Sequence, residues 1–597
     1  MADTPNEPAA GTEGRGDGEE TTFVEALPLP DLEAEGRRLL TRGGHAIALF
    51  HHEGEVRAVD NRCPHMGFPL TEGTVDDGVL TCHWHHARFE LSCGDTFDPW
   101  ADDVPTYPVE VRDGVVYVKP EPVRTEPPAV HWAERLEDGL ERNLRLVLAK
   151  SAIGLLDAGV GAEEQVETSV LFGTRYREGG WSSGLTILTL LANVLPDLRP
   201  ADRKRALYHG HVHVASDCAD QPPKFDQEAF AARDIPFARL KSWFRETVEV
   251  RDADGAERCL RTAIASGRSD AELAELLVAA GTDHRYLDTG HTLDFVNKAC
   301  EALDLIGWDH AEAVLPSLVE GLASADRAEE RSSWRQPVDL AAMLAESFDR
   351  LDALGEEGEN SEWTEPDEFT ETLLADDPER VVDALEGAIR DGATVEQLAA
   401  AVAFAAGTRV ARFSTVNEFS DWNTVHHTFT YANAVHRLAE RTDATELYRG
   451  VFDAAANVYL DRFLNTPPAD LPAEGPADAD PDALLDDLLA TFDVEGEVND
   501  AGRLAGHYLD AGGDPARLRE RLGEGLLRED AGFHTYQALE AAFSQVDRRA
   551  DPEERRTLLV AAARYLAAHS PTRREREQTF TIASRLHRGE KVHESAE

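Results

Sequence analysis

The segments "NRCPHMGFPL", Asn61–Leu70, and "TCHWHHARFE", Thr81–Glu90, hold the residues on which the reading of this chain turns. The first offers Cys63 and His65 in Cys-x-His order. Sixteen residues later the second offers Cys82 and His85 in Cys-x-x-His order. Thiolate sulfur and neutral imidazole nitrogen are the soft and borderline donors of proteins, so two of each at short spacing point to a metal centre. Zinc held by two cysteines and two histidines is the simplest reading. Against it, each half supplies one Cys and one His, whereas zinc sites of this length usually draw a cysteine pair from one half and a histidine pair from the other.

Outward from these segments the pattern is of short apolar runs broken by turns: "HAIALF", "EVRAVD", "GVLTCHW" and "YPVEVRDGVVYV". Alternation around Asp113-Gly114 predicts a two-residue hairpin. Residues 22–120 are therefore expected to form a small all-β domain. A proline-rich joint, "KPEPVRTEPPAV" at 119–130, ends the strand pattern and is read as a linker over 121–134. Beyond it Ala, Leu, Arg and Glu dominate, and apolar residues recur every three or four positions, as in "WAERLEDGLERNLRLVLAKSAIGLL". A large all-α domain is expected over 135–597, interrupted at "LGEEGENSEWTEPDE" (354–368) and at a loop, "NTPPADLPAEGPADADPD" (465–482).

At 597 residues the chain exceeds one core, and its 42% hydrophobic content suffices for several domains. A net charge of −54 repels phosphate backbones and anionic lipid, so neither nucleic acid nor a membrane is an expected partner. Only seven of the 59 basic residues are lysine, and the acidic residues are spread along the chain, a pattern of a salt-adapted, halophile-like cytoplasmic surface. Six cysteines in this length make no disulfide framework. The start, acidic and lacking hydrophobic periodicity, is expected to be a disordered tail over 1–21 and not a signal peptide. The longest apolar run, "LTILTLLANVL" at Leu185–Leu195, is too short to span a bilayer.

With Pro64 and Gly67 in the first segment and Trp84 in the second, residues 61–98 resemble the Rieske family of 2Fe-2S proteins, ferredoxin or oxygenase type. The resemblance implies one 2Fe-2S cluster, with Cys63 and Cys82 on one iron and His65 and His85 on the other. Neutral imidazoles make such a cluster less negative than an all-cysteine one, and imidazole deprotonation couples to its oxidation. It implies single-electron transfer with a redox partner protein, a donor or an oxygenase. The respiratory branch carries two bridging cysteines and a serine bonded to a sulfide, where this chain has Phe68, Trp84 and Ala87. Fewer hydrogen bonds to the sulfurs imply a potential toward the low end of about −150 to +300 mV. His86 replaces a usual Gly and is read as an exposed neighbour; Cys93 replaces a usual Thr and is read as a small buried filler.

No largely β catalytic domain with a mononuclear-iron motif follows. "DRKRALYHGHVHVASD" has His209, His211 and His213 at other spacings. The helical part instead carries an echo: "HTLDFVNKA" from His291, "HTFTYANAV" from His427 and, fainter, "HTYQALEAA" from His534, which suggests internal duplication. His291 and His427 each lie on an apolar helical stripe. They are read either as buried histidines of a scaffold or as joining His209 and His213 around a metal or an unknown second cofactor. The run "DWNTVHHTFTYANAVHRL" is loosely similar to helical questin-oxidase-like proteins. Glu-x-x-His of the di-iron kind occurs only at Glu590–His593 in the tail, which disfavours that class. Cys218, Cys259 and Cys300 are isolated and read as structural. Two functions remain: an oxidoreductase passing electrons to its own helical domain or to a separate oxygenase, and a redox-sensing or docking module on a non-catalytic scaffold.

Overall fold

The computed structural model describes residues 22–123, 126–418, 420–590 and 592. The expected acidic tail at 1–21 lies outside them. The chain forms two compact units. One runs to Pro127 and is joined by the chain from Arg588; the other is Pro128–His587.

The first unit is a small β domain of three antiparallel three-stranded sheets. Strands β1 (Val24–Pro28), β9 (Val115–Val118) and β8 (Val109–Arg112) make one sheet in that order. The second is β2 (Arg37–Arg42), β3 (His45–His52) and β4 (Glu55–Asp60); the third is β5 (Thr74–Asp76), β6 (Val79–Thr81) and β7 (Arg88–Glu90). Two-residue turns close the hairpins, and the one predicted at Asp113-Gly114 pairs Arg112 with Val115. Gly43-Gly44, Glu53-Gly54 and Asp77-Gly78 turn in the same way, with both residues at positive φ in all four. That geometry matches the strands' own right-handed twist. A short helix the apolar pattern does not announce, Leu29–Glu35, follows β1 and is ended by Gly36 at φ 76°. Beneath the cluster-type loops lies one apolar core, in which Cys63 and Cys82 pack with Phe50, Leu70, Leu80 and Phe89.

The second unit is all-helical, from Pro128–Glu141 to Glu575–His587. Its first helix begins inside the stretch expected as linker, which corrects the 121–134 boundary. Pro128 opens this helix because a first-turn residue has no intrahelical N–H bond to lose. Helix Leu351–Gly358 likewise enters the acidic break at 354–368, whereas 465–480 carry no helix before Pro481–Thr491. No helix among the described residues is long and apolar enough to cross a membrane.

Deep in this unit an ammonium ties helices together. Lys298, on helix His291–Ile306, is 1% exposed; its Nζ lies 2.8 Å from Glu301 and 2.7 Å from Glu540, on helix Phe533–Asp547. Asn193, on helix Ser183–Val194, donates to Glu301 at 2.7 Å, and Arg437, on helix Trp422–Ala439, at 3.3 Å. Burial alone would raise the Glu301 carboxyl, but Lys298 and Arg437 hold it down to about 2. Removing one partner of such a group leaves uncompensated buried charge, which costs about 3–5 kcal/mol. Lys298→Met is expected to destabilise the helical unit by about that amount, read as a lowered denaturation midpoint of helical circular dichroism.

Candidate functional site

The metal-type residues sit on two loops with the same backbone solution. The first leaves β4 and returns toward β5; the second joins β6 to β7. In the first, the Cys63 N–H donates to Phe68 O at 2.9 Å and Gly67 N–H to Cys63 O at 2.7 Å. In the second, Cys82 N–H donates to Ala87 O at 2.8 Å and His86 N–H to Cys82 O at 3.0 Å. Both turns need a left-handed residue four positions after the cysteine. Gly67 supplies it at φ 79° and His86 at φ 64°. The side chain of Asn61 closes the first loop by accepting from Thr71 N–H at 2.8 Å.

This folding of each loop turns backbone N–H groups onto sulfur: those of His65 and Met66 onto Cys63, those of Trp84 and His85 onto Cys82. The two thiols also bond to each other. That hydrogen bond and burial push Cys63 up, while the same hydrogen bond lowers Cys82. The rings of His65 and His85 lie edge to face, 4.8 Å between centroids, with Trp100 against His65 at 4.6 Å and Trp84 against His85 at 4.5 Å. Burial and the neighbouring His86 lower His85, which favours the neutral ring. Two adjacent sulfurs braced for negative charge, carried on the same two loops as two adjacent imidazoles, fit a 2Fe-2S group with mixed ligands. Phe68 and Trp84 meet as an aromatic pair, centroids 6.0 Å apart.

The Rieske [2Fe-2S] domain family matches residues 22–108. The 3-phenylpropionate/cinnamic acid dioxygenase ferredoxin subunit of Photorhabdus laumondii is 43% identical over 74 residues, 12% of this chain and 70% of that protein. The chain belongs to the Rieske [2Fe-2S] family. The ferredoxin component of the naphthalene 1,2-dioxygenase/salicylate 5-hydroxylase systems of a Ralstonia species is 34% identical over 100 residues, 17% of this chain and 96% of that one. Human apoptosis-inducing factor 3 is 36% identical over 90 residues, but those are only 15% of either protein. The Rieske domain here is thus of the ferredoxin, electron-transfer type and takes a 2Fe-2S cluster. No family matches the helical remainder.

Cys93, read from sequence as buried, is exposed. It stands in the turn after β7, where the Glu90 carboxylate accepts from the N–H groups of Ser92 and Cys93 at 2.9 and 2.8 Å and draws the turn to the surface. Cys218, Cys259 and Cys300 are buried, and burial pushes their thiols up to about 12, 11 and 12.

Outside the Rieske domain the helical unit brings together three histidines, His291, His427 and His534, with one ligand nitrogen from each within 4.8 Å of the others. The Nε2 atoms of His427 and His534 are 3.0 Å apart, and the His291 ring lies 4.7 Å from His427 and 5.5 Å from His534. His209 and His213 are not part of this group, which corrects the four-histidine pocket read from sequence. They pack instead on Tyr536, with His209 Nδ1 2.6 Å from its hydroxyl. Two positions along a helix turn a side chain by roughly 200°, so Tyr536 and His534 face nearly opposite ways. His534 had only the fainter echo to announce it.

A residue the sequence reading passed over, His426, stands behind the three. It is fully buried, its ring lies tilted against that of His534 at 5.1 Å between centroids, and its Nε2 lies 3.3 Å from Gln537 Oε1. Gln537 in turn donates to Asp294, whose carboxyl burial pushes up to about 8. Just before His291 the chain is strained: Tyr286, Asp288 and Thr289 take φ of 45°, 48° and 55°. Such residues cost about 1–3 kcal/mol each and persist where their surroundings dictate them. Here Asp326 N–H donates to Asp288 Oδ1 at 2.8 Å, and a side chain at Gly290 would press on the Tyr286 and Tyr431 rings.

His86 alone of the two left-handed loop positions bears a side chain, at a cost of about 1 kcal/mol. His86→Gly is expected to stabilise the first unit by that amount, read as a higher temperature for loss of the cluster's visible absorbance.

Proposed function

We propose that Cys63 and Cys82 hold one iron, and His65 and His85 the other, of the 2Fe-2S group, and that the chain is a cytoplasmic one-electron carrier serving an oxygenase-type acceptor. The cluster, when bound, supplies one-electron oxidation and reduction. What carries the reading is the pair of equivalent loops, which set the two sulfurs against each other and the two imidazole rings 4.8 Å apart, each sulfur receiving two backbone N–H groups. Those N–H groups stabilise negative charge on sulfur and so ease addition of the electron. His85 and Trp84 form the outer edge: Trp84 is 37% exposed, beside a ring that can deliver charge at the surface.

Two of the similar proteins are by name ferredoxin components of dioxygenase systems, which supports an oxygenase as the partner. An acceptor within the chain's own helical unit is favoured by covalent linkage, because a tether raises effective concentration. The strongly acidic, lysine-poor composition supports a salt-adapted cytoplasmic setting.

Cys82→Ser and His85→Ala are each expected to abolish the visible absorbance and the acid-labile sulfide of the purified protein. Two irons and two sulfides retained in both would overturn the ligand assignment. The intact protein is expected to take up one electron per chain in an anaerobic reductive titration followed by absorbance. Uptake of none by the cluster-loaded chain would overturn the carrier role.

A further inference from the structure

We infer that His291, His427 and His534 form a second metal site, a three-nitrogen seat for a divalent first-row transition ion with a position left open toward a neighbouring cleft. The inference stands on the helical unit alone and not on the cluster ligands. Three donors with no carboxylate among them match the ions that imidazole favours, zinc, iron, copper and nickel. At metal–nitrogen lengths of 2.0–2.1 Å, tetrahedral ligand atoms stand about 3.3 Å apart. One pair here is at 3.0 Å and all three atoms are within 4.8 Å, so small side-chain rotations seat an ion.

The groups are also in the right state. Burial and the neighbouring His534 lower His291 to about 4; burial, His291 and His534 lower His427 to about 2; and burial lowers His534. Burial thus favours the neutral ring of each, the form that offers a lone pair. Three helices widely separated in sequence converge here, each delivering a histidine followed by a buried threonine: Thr292, Thr428 and Thr535. The strained turn at 286–290 aims the first of them. His534 also lines an open cleft of about 450 Å³ with Asn423, Asp530 and His569, through which water or a small substrate reaches the open position. Behind it, His426 Nδ1 is buried with no hydrogen-bond partner among the described residues.

The competing arrangement is an N–H···N hydrogen bond between His427 and His534, which uses two rings and leaves His291 aside. The test uses the full-length, cluster-loaded chain titrated with Co²⁺, with bound metal measured by elemental analysis and by cobalt visible absorption. One ion per chain beyond the cluster irons is expected, raising the thermal midpoint of the helical unit. His534→Ala, at the cleft, and His427→Gln are expected to weaken binding beyond the ~10–100-fold that even outer partners of a metal cost. His436→Ala, in the separate Glu396–His436–Glu440 group, is expected to leave it unchanged. Repeating the titration on Cys82→Ser separates failure of the cluster assignment from failure of this site, since the cobalt is expected to bind there too. No uptake by the wild-type chain, equal uptake by a well-folded His534→Ala, or loss in His436→Ala would each overturn the inference.

Discussion

An ammonium out of reach of water must be matched by carboxylates, and Lys298 is matched by two, Glu301 on its own helix and Glu540 242 positions later in the chain. Asn193 and Arg437 complete the network, so four helices share one polar knot. Such a knot is satisfied in one register only, because sliding a helix by a turn strands a charge or leaves a carboxylate short of a donor. His291, His427 and His534 ride on three of these four helices, roughly two to three turns before the knot. Their mutual distances are therefore set by a polar lock elsewhere on the same rods. The histidines need no bonds of their own to stay together.

The Rieske unit solves the same problem differently. Its donors are not on rods but on loops of a few residues, and the constraint is local: a hydrogen bond from each cysteine N–H across the loop, and a left-handed residue to let the chain return. Because the same N–H groups that follow each cysteine point at its sulfur, loop closure and thiolate stabilisation are one event. Folding the loop already prepares the charge that iron requires.

Legibility in the sequence followed how local each determinant is. The four cluster-type residues and the Asp113-Gly114 hairpin could be read, because spacing within a loop and turn chemistry within two residues are decided by near neighbours. Glu53-Gly54 was less visible, since glutamate gives no sign of a positive φ. In the helical part, periodicity gave the helices, but not which faces meet. His209 and His213, one turn apart, looked like natural companions for His291 and His427, yet packing sets them against Tyr536. Conversely His534 carried only a His-Thr pair and a small residue in common with the others. Its place depends on contacts hundreds of residues away, and no window of sequence contains those.

The turn at 286–290 sets a rule on how this chain can vary. Each residue added to or removed from a segment that leads directly into a helix rotates the helix's first side chain by about 100° about the axis. With Gly290 wedged against the Tyr431 ring and Asp288 clasped by the backbone at Asp326, the segment has no slack to absorb an insertion. It is a connector of fixed length, and at Gly290 and Asp288 of fixed identity as well.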